Sequence, residues 1–199
     1  MSGQDRINAQ LAFLAEADRL KTVLRASPVS GGRRENSAEH SWHLALYALV
    51  LADQAPKDVS IDRVIRMLLL HDLVEIDTGD APIHAKGPAG HGSDQLLAAE
   101  TAAARRIFGL LPPDQAATFR ALWDEFEAAE TPDAIFAKAL DRVQPVMLNI
   151  AAGGGTWRDY DVTLDQLDQR VGRPIARAAP RLWAHVRALA RPFFAKSAD

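Results

Sequence analysis

Val64-Ile65-Arg66-Met67-Leu68-Leu69-Leu70-His71-Asp72 is the stretch on which the reading of this chain turns. Its apolar side chains recur at helical spacing, and it closes on a histidine and an aspartate side by side. Such a pair at the polar end of an apolar helix is costly to bury unless something offsets its polarity and charge. A divalent cation would do so, and two companions of the right kind stand far off in sequence, His40 upstream and Asp141 downstream. Two neutral imidazoles and two carboxylates cancel the charge of a doubly positive ion. Nitrogen and oxygen donors without sulfur suit Mn, Co, Fe, Ni, Zn or Mg, and such an ion keeps positions open for water and a substrate oxygen.

Outward from this stretch the same periodicity runs almost throughout, alanine and leucine are abundant, and alternating β-branched residues are nearly absent. An all-α bundle is expected. A first helix is expected over about residues 5 to 24, with Leu11, Leu14, Leu20 and Val23 inward, followed by a loop at Pro28 and Gly31-Gly32. Asn36 with Glu39 three residues later is a capping-box start, so a second helix should run to about residue 52 with His40 in its first turn. Ser60 can cap the helix that carries Ile61, Val64, Ile65 and Leu68 to Leu70 inward and delivers His71-Asp72 near its end. A Gly- and Pro-rich loop is expected from Thr78 to Gly92, then helices over about 94 to 109, capped by Ser93, and about 114 to 129. Thr131-Pro132 opens a helix that carries Asp141 mid-length and stops at Gly153-Gly154-Gly155. A short segment around Trp157 to Asp161 and helices over about 164 to 171 and 174 to 195 complete the expected order. No internal repeat or linker is evident, so residues 1–199 read as a single domain with its core over about 8 to 190.

The composition narrows the function. A length of 199 residues suffices for a substantial core, and the net charge of -3 gives no basic field for a nucleic-acid polymer. There is no cysteine, so disulfides and thiolate metal sites are excluded. The start Met1-Ser2-Gly3-Gln4-Asp5 lacks the marks of a signal peptide, and the apolar runs fall short of the roughly 20 residues that span a bilayer. A cytoplasmic protein without membrane partners is expected.

The order His40, His71-Asp72, Asp141 resembles the HD-domain metal-dependent phosphohydrolases, whose defining ligands are one histidine, an adjacent His-Asp and a distant aspartate. The surrounding words Arg34-Glu35-Asn36-Ser37-Ala38-Glu39-His40-Ser41, His71-Asp72-Leu73-Val74-Glu75-Ile76-Asp77-Thr78-Gly79-Asp80 and Lys138-Ala139-Leu140-Asp141-Arg142 look like the 5'-deoxynucleotidase branch of that superfamily. The resemblance implies a helical HD-domain bundle, one catalytic divalent ion held by His40, His71, Asp72 and Asp141, and hydrolysis of nucleoside monophosphates. It also implies that Glu75 and Asp80 orient water and move a proton, and that Arg25 contacts the substrate phosphate. Glu75 independently falls four residues after His71, on the same helical face. A homodimer is expected because relatives commonly pair. The position after Arg25, a tryptophan that crowds the sugar 2' side in the bacterial deoxynucleotidases, is Ala26 here, which leaves deoxyribose against ribose open. Two alternatives stand beside the 5'-nucleotidase reading: another HD hydrolase, acting on a diphosphate, a cyclic nucleotide or a non-nucleotide ester, and a non-catalytic nucleotide sensor.

Other conspicuous residues receive structural readings. His43 is expected as a core histidine, Arg33-Arg34 as a surface loop, Asp77 as a turn residue, and Asp124-Glu125-Phe126-Glu127 as a solvated face. Trp42, Trp123, Trp157 and Trp183 are expected to pack. His84 and His91 lack the flanking pattern of a second metal site.

Overall fold

The computed structural model describes residues 2–84 and 90–195. Helix α1 (Gly3–Ala17) opens with a capping box between Ser2 and Asp5 and gives way to a tight turn over Asp18–Thr22. Strands β1 (Leu24–Pro28) and β2 (Arg34–Asn36) then form an antiparallel hairpin, pairing Leu24 with Asn36 and Pro28 with Arg34. The helix expected to reach residue 24 therefore stops seven residues short, at Ala17, and the expected loop is a hairpin. Gly31 and Gly32 supply its turn at φ of 103° and 87°, a left-handed backbone that side-chain-bearing residues seldom adopt. The inward set of α1 also differs. Phe13 and Leu20 are buried, Val23 is partly so, and Leu11 and Leu14 face solvent.

Helix α2 (Ser37–Val50) begins with the expected capping box: the Asn36 side chain accepts from the Glu39 N–H at 2.9 Å, and the Asn36 N–H donates to Glu39 Oε2 at 3.3 Å. Helix α3 (Ile61–Leu70) buries Val64, Met67, Leu68 and Leu70 and turns Leu69 outward, as a single apolar stripe requires. Its N-cap Ser60 makes no side-chain cap; instead its backbone N–H donates to Asp133 Oδ1 at 2.7 Å. A 3-10 turn over His71–Val74 leads into the short α4 (Glu75–Thr78). Of the loop expected from Thr78 to Gly92, residues 85–89 lie outside the described residues; 79–84 and 90–92 carry no helix or strand.

Helices α5 (Asp94–Phe108), α6 (Pro113–Ala128) and α7 (Pro132–Ala151) follow, with Ser93 and Thr131 accepting cap bonds from Leu96 and Ala134. Helix α7 is the central element, packing against α2, α3 and α6. Beyond it come α8 (Thr156–Asp159), α9 (Leu164–Leu167) with a π turn over Asp168–Gly172, α10 (Arg173–Ala178) and α11 (Pro180–Ala190). Both α10 and α11 also lie against α7. The helix expected over 174 to 195 is thus broken at Ala179. Pro180 has no N–H to continue the ladder and forces its predecessor out of the helical region, and Ala179 sits at φ −141°, ψ 73°. Among the described residues no helix is long and apolar enough to cross a membrane.

Two apolar clusters meet along α7. One gathers Leu44, Met67, Phe108, Phe126, Phe136 and Leu140; the other gathers Val146, Trp157, Leu167, Ile175 and Trp183. The polar site lies where α2, the 71–74 turn and α7 converge, walled by the hairpin.

Candidate metal centre

The elements deliver four side chains from separate parts of the chain to one buried point. His40 comes from the first turn of α2, His71 and Asp72 from the turn ending α3, and Asp141 from mid-α7; all four are buried. His40 Nε2 lies 3.0 Å from Asp141 Oδ1 and 3.9 Å from Asp72 Oδ2. His71 Nε2 lies 2.9 Å from Asp72 Oδ1 and 3.7 Å from Asp141 Oδ1. Donor atoms of His40, His71 and Asp72 all fall within 4.8 Å of one another. An ion with bonds of about 2.1 Å sets neighbouring ligands about 3 Å apart and opposite ones about 4.2 Å apart. The spacing fits a cation at the centroid.

Each imidazole is fixed from behind. His71 Nδ1 lies 2.8 Å from the Leu68 carbonyl, to which only an N–H can donate, and His40 Nδ1 lies 3.0 Å from Gln144 Oε1. Both rings therefore direct Nε2 inward, the arrangement by which metal-ligating histidines are usually oriented. His71 Nε2 is buried without a hydrogen-bond partner among the described residues, an orphan that a cation would satisfy. Burial works to lower the His71 pKa, but Asp72 and Asp141 outweigh it and raise it to about 10, so a proton and a cation compete for the same atom. Burial works the other way on Asp72, yet His71 and Arg25 hold its carboxyl at about 2. Pro145, one helical turn beyond Asp141, has no N–H to return to the Asp141 carbonyl, so α7 runs on past the site without that bond.

Arg25 reaches this point from strand β1, not from a helix end, with its side chain 12% exposed. Its Nη1 lies 3.0 Å from Asp72 Oδ2, 3.4 Å from Asp80 Oδ1 and 3.9 Å from Glu75 Oε1, while Nε faces Glu35 Oε2 at 3.6 Å. Glu35, Asp72, Glu75 and Asp80 thus crowd around one guanidinium, an acidic surrounding that further favours a cation. Glu75 is buried at the start of α4, where Ser37 Oγ donates to Oε2 at 2.5 Å. Burial, then Asp72 and Asp80, push its carboxyl well above the usual range. Burial raises Asp80 as well, opposed chiefly by Arg25. Both carboxyls face the Arg25 guanidinium beside Asp72.

A cavity of about 240 Å³ opens from this cluster. Arg25, Ala26, Asp72, Glu75 and Asp80 form its polar end; Ile83, Val146, Trp157, Leu167 and Val171 form an apolar wall. Lys138 and Arg142 line another side, with Lys138 Nζ donating to Glu127 Oε1 at 2.9 Å. The run 124–127 is therefore not a solvated face throughout. Phe126 is buried against His71 and Glu127 lines the cavity, because α6 turns this edge toward α7. Glu100 also lines it, its carboxyl pushed up to about 7 by burial and by Glu127.

His84 and His91 line the same cavity, both held near 4, His84 by burial and Arg170, His91 by burial and Arg142. His43 is half-buried and accepts at Nδ1 from Gln144 Nε2 at 3.2 Å. Asp77 is exposed on α4 and paired with Arg106, while Arg33 forks onto Glu39 at the surface. Trp123, Trp157 and Trp183 are buried, whereas Trp42 is exposed. Asn149 accepts at Oδ1 from the Thr156 N–H at 2.7 Å, and a side chain at Gly155 would meet that oxygen at 2.2 Å. Glu35, Ser37, Lys138, Arg142, Gln144 and Asn149 went unassigned from the sequence. Ser37 meets Glu75 across 38 positions and Gln144 meets Glu35 across 109, and no spacing rule reveals such pairs.

A helical bundle whose buried centre gathers a histidine, an adjacent His-Asp and a distant aspartate defines a class, and the chain belongs to it: the HD domain family, whose model matches residues 17–183. Among its relatives, the human 5'-deoxynucleotidase HDDC2 is 30% identical over 140 residues, 69% of this chain and 65% of the human protein. The 5'-deoxynucleotidase Ent638_2835 of Enterobacter sp. (strain 638) is 29% identical, over 61% of this chain and 63% of that protein. The chain thus aligns with just under two thirds of the length of these two relatives. Closer similarity joins it to a solved structure described as a predicted metal-dependent phosphohydrolase from Magnetospirillum magnetotacticum MS-1. That structure is 48% identical with a TM-score of 0.86, covering 95% of both chains.

Proposed function

We propose that this chain, folded as a single domain, is a divalent-metal-dependent phosphomonoesterase that removes phosphate from nucleoside 5'-monophosphates, deoxy or ribo. The observation that carries the reading is the convergence of His40, His71, Asp72 and Asp141 on one buried point, with Arg25, Glu75 and Asp80 at the cavity's polar end. His40, His71, Asp72 and Asp141 would hold the ion. When bound, it supplies an acidified water and offsets charge on the phosphoryl oxygens.

The remaining steps belong to the chain. Arg25 orients the phosphate through the Nη face of its guanidinium, whose planar fork matches two phosphate oxygens. Glu75 and Asp80 pass a proton from the attacking water to the leaving oxygen, a role suited to carboxyls raised by burial. The apolar wall at Val146, Trp157 and Leu167 takes the nucleoside, and Ala26 leaves the sugar side uncrowded. We also carry forward a cytoplasmic setting and a homodimer; sedimentation measures the latter.

The test is phosphate release over a panel of ribo- and deoxynucleoside monophosphates with Mn²⁺ or Co²⁺. Inorganic phosphate together with nucleoside is expected. No release from a protein shown to hold the ion defeats the reading; a pyrophosphate or nucleotide product moves it to another HD hydrolase. Glu75→Gln is expected to lower kcat about 10²- to 10⁴-fold with Mn²⁺ affinity little changed, because it removes a proton carrier and not a ligand. Steady-state kinetics beside a calorimetric Mn²⁺ titration checks this. Equal loss of both would make Glu75 a ligand instead.

A further inference from the structure

We propose that Glu35 is a positioning residue that governs both arms of the site: through Gln144 it sets which face of His40 meets the cation, and against Arg25 it aims the guanidinium at the phosphate. The inference rests on the reading above and names a residue which that reading does not use.

Glu35 lies on β2, 2% exposed, and its Oε1 accepts from Gln144 Nε2 at 2.6 Å. Gln144, fully buried on α7, has its Nε2 committed to Glu35 and to His43 Nδ1. Its Oε1 is thereby the atom that meets His40 Nδ1 at 3.0 Å. A neutral imidazole carries one N–H, so an acceptor at Nδ1 draws the proton there and leaves the Nε2 lone pair facing Asp72 and Asp141. Were the Gln144 amide reversed, an N–H would face Nδ1, the proton would move to Nε2, and His40 could not coordinate. One carboxylate, standing on the Nδ1 side of His40 and not among the grouped donor atoms, decides between these states.

The other oxygen, Oε2, lies 3.5 Å from His40 Nδ1, where it supports the same orientation of the ring, and it also serves the second arm. Glu35 Oε2 and Arg25 Nε are both buried without hydrogen-bond partners among the described residues, and they face one another at 3.6 Å. Asp72, Asp80 and Glu75 all compete for Nη1, the side on which a phosphate would bind. Among the described carboxylates, Glu35 alone stands on the Nε edge. It remains a partner when Nη1 turns to a phosphate, and so keeps the guanidinium plane in place whether the cavity is empty or filled.

Chelator-treated protein is titrated calorimetrically with Mn²⁺, and Mn²⁺-saturated protein with inorganic phosphate. Glu35→Gln is expected to lower Mn²⁺ affinity about 10- to 100-fold, as losing an outer partner of a metal ligand does, and phosphate affinity about tenfold. The exchange Glu35→Gln/Gln144→Glu should bring Mn²⁺ affinity back to within about threefold of the parent, because a carboxylate at position 144 again accepts from His40 Nδ1. Phosphate affinity should stay low, because no carboxylate then faces Arg25 Nε. Affinities within twofold of the parent for Glu35→Gln, or a folded exchange variant with no recovery of Mn²⁺ binding, would overturn the proposal. Should Glu35→Gln not fold, Glu35→Asp carries the test: its shorter carboxylate retreats from Gln144 and Arg25 alike, so both losses are again expected, and unchanged affinities again overturn it. Neither titration needs turnover. A parent that binds both ions yet hydrolyses no nucleotide sinks the phosphatase reading and leaves Glu35 standing; an active parent with unaffected Glu35 variants does the reverse.

Discussion

Replacing Asp72 with alanine is expected to remove tight Mn²⁺ binding and to lower kcat/KM by more than the roughly 10- to 100-fold that losing an outer partner costs a metal site. Asp72 has an oxygen 2.9 Å from His71 Nε2 and another 3.9 Å from His40 Nε2, so it bridges the two imidazoles across the proposed ion. Asp141 already faces His40 and Glu75 is tied to Ser37, so neither stands ready to replace it. The helices should survive, because α2, α3 and α7 bury apolar faces of their own. Thermal unfolding with and without Mn²⁺ separates the effects. An ion at a hundred times its Kd stabilises the parent by about 2.7 kcal/mol, whereas the variant should gain nothing. An Asp72→Ala protein whose midpoint still rises with Mn²⁺ would refute the assignment.

Arg25→Ala should produce the largest loss of stability of any single change at the site, about 3–5 kcal/mol in chelated protein. The guanidinium is the nearest positive group to Glu35, Asp72, Glu75 and Asp80 together, and its removal leaves buried carboxylates facing one another. Saturating Mn²⁺ should recover part of the loss, since it offsets Asp72; it cannot reach Glu35. Arg25→Lys should recover little, because an ammonium has no second edge with which to serve Glu35 and Asp72 at once. Urea denaturation in chelator and in Mn²⁺ measures both numbers. A loss below about 1 kcal/mol would show that the carboxylates find protons or water instead.

Local signals read the chain well where they fix a helix start. Asn36 with Glu39 and Thr131 with Pro132 mark the onsets of α2 and α7, because each is a bond or a missing donor within one turn. The apolar stripe of α3 likewise announced where His71 and Asp72 would stand. The hairpin over 24–36 gave no such signal: its strands are five and three residues long and mostly polar, too short for alternation to register. That omission also hid why Arg25 faces inward. The four candidate ligands were legible because their types and order are distinctive, and the structure brings them together. The network behind them was not: Glu35 and Gln144 are 109 positions apart, and nothing in either neighbourhood points to the other.

That separation bears on how the protein acquires its ion. His40 meets Asp141 across 101 positions and Arg25 meets Asp72 across 47, so the site exists only after long loops have closed. The unfolded chain offers little beyond the adjacent His71-Asp72, a poor chelator by itself. The cation would therefore be a ligand of the finished bundle and not of the unfolded chain, so its whole binding free energy would count toward holding the native state.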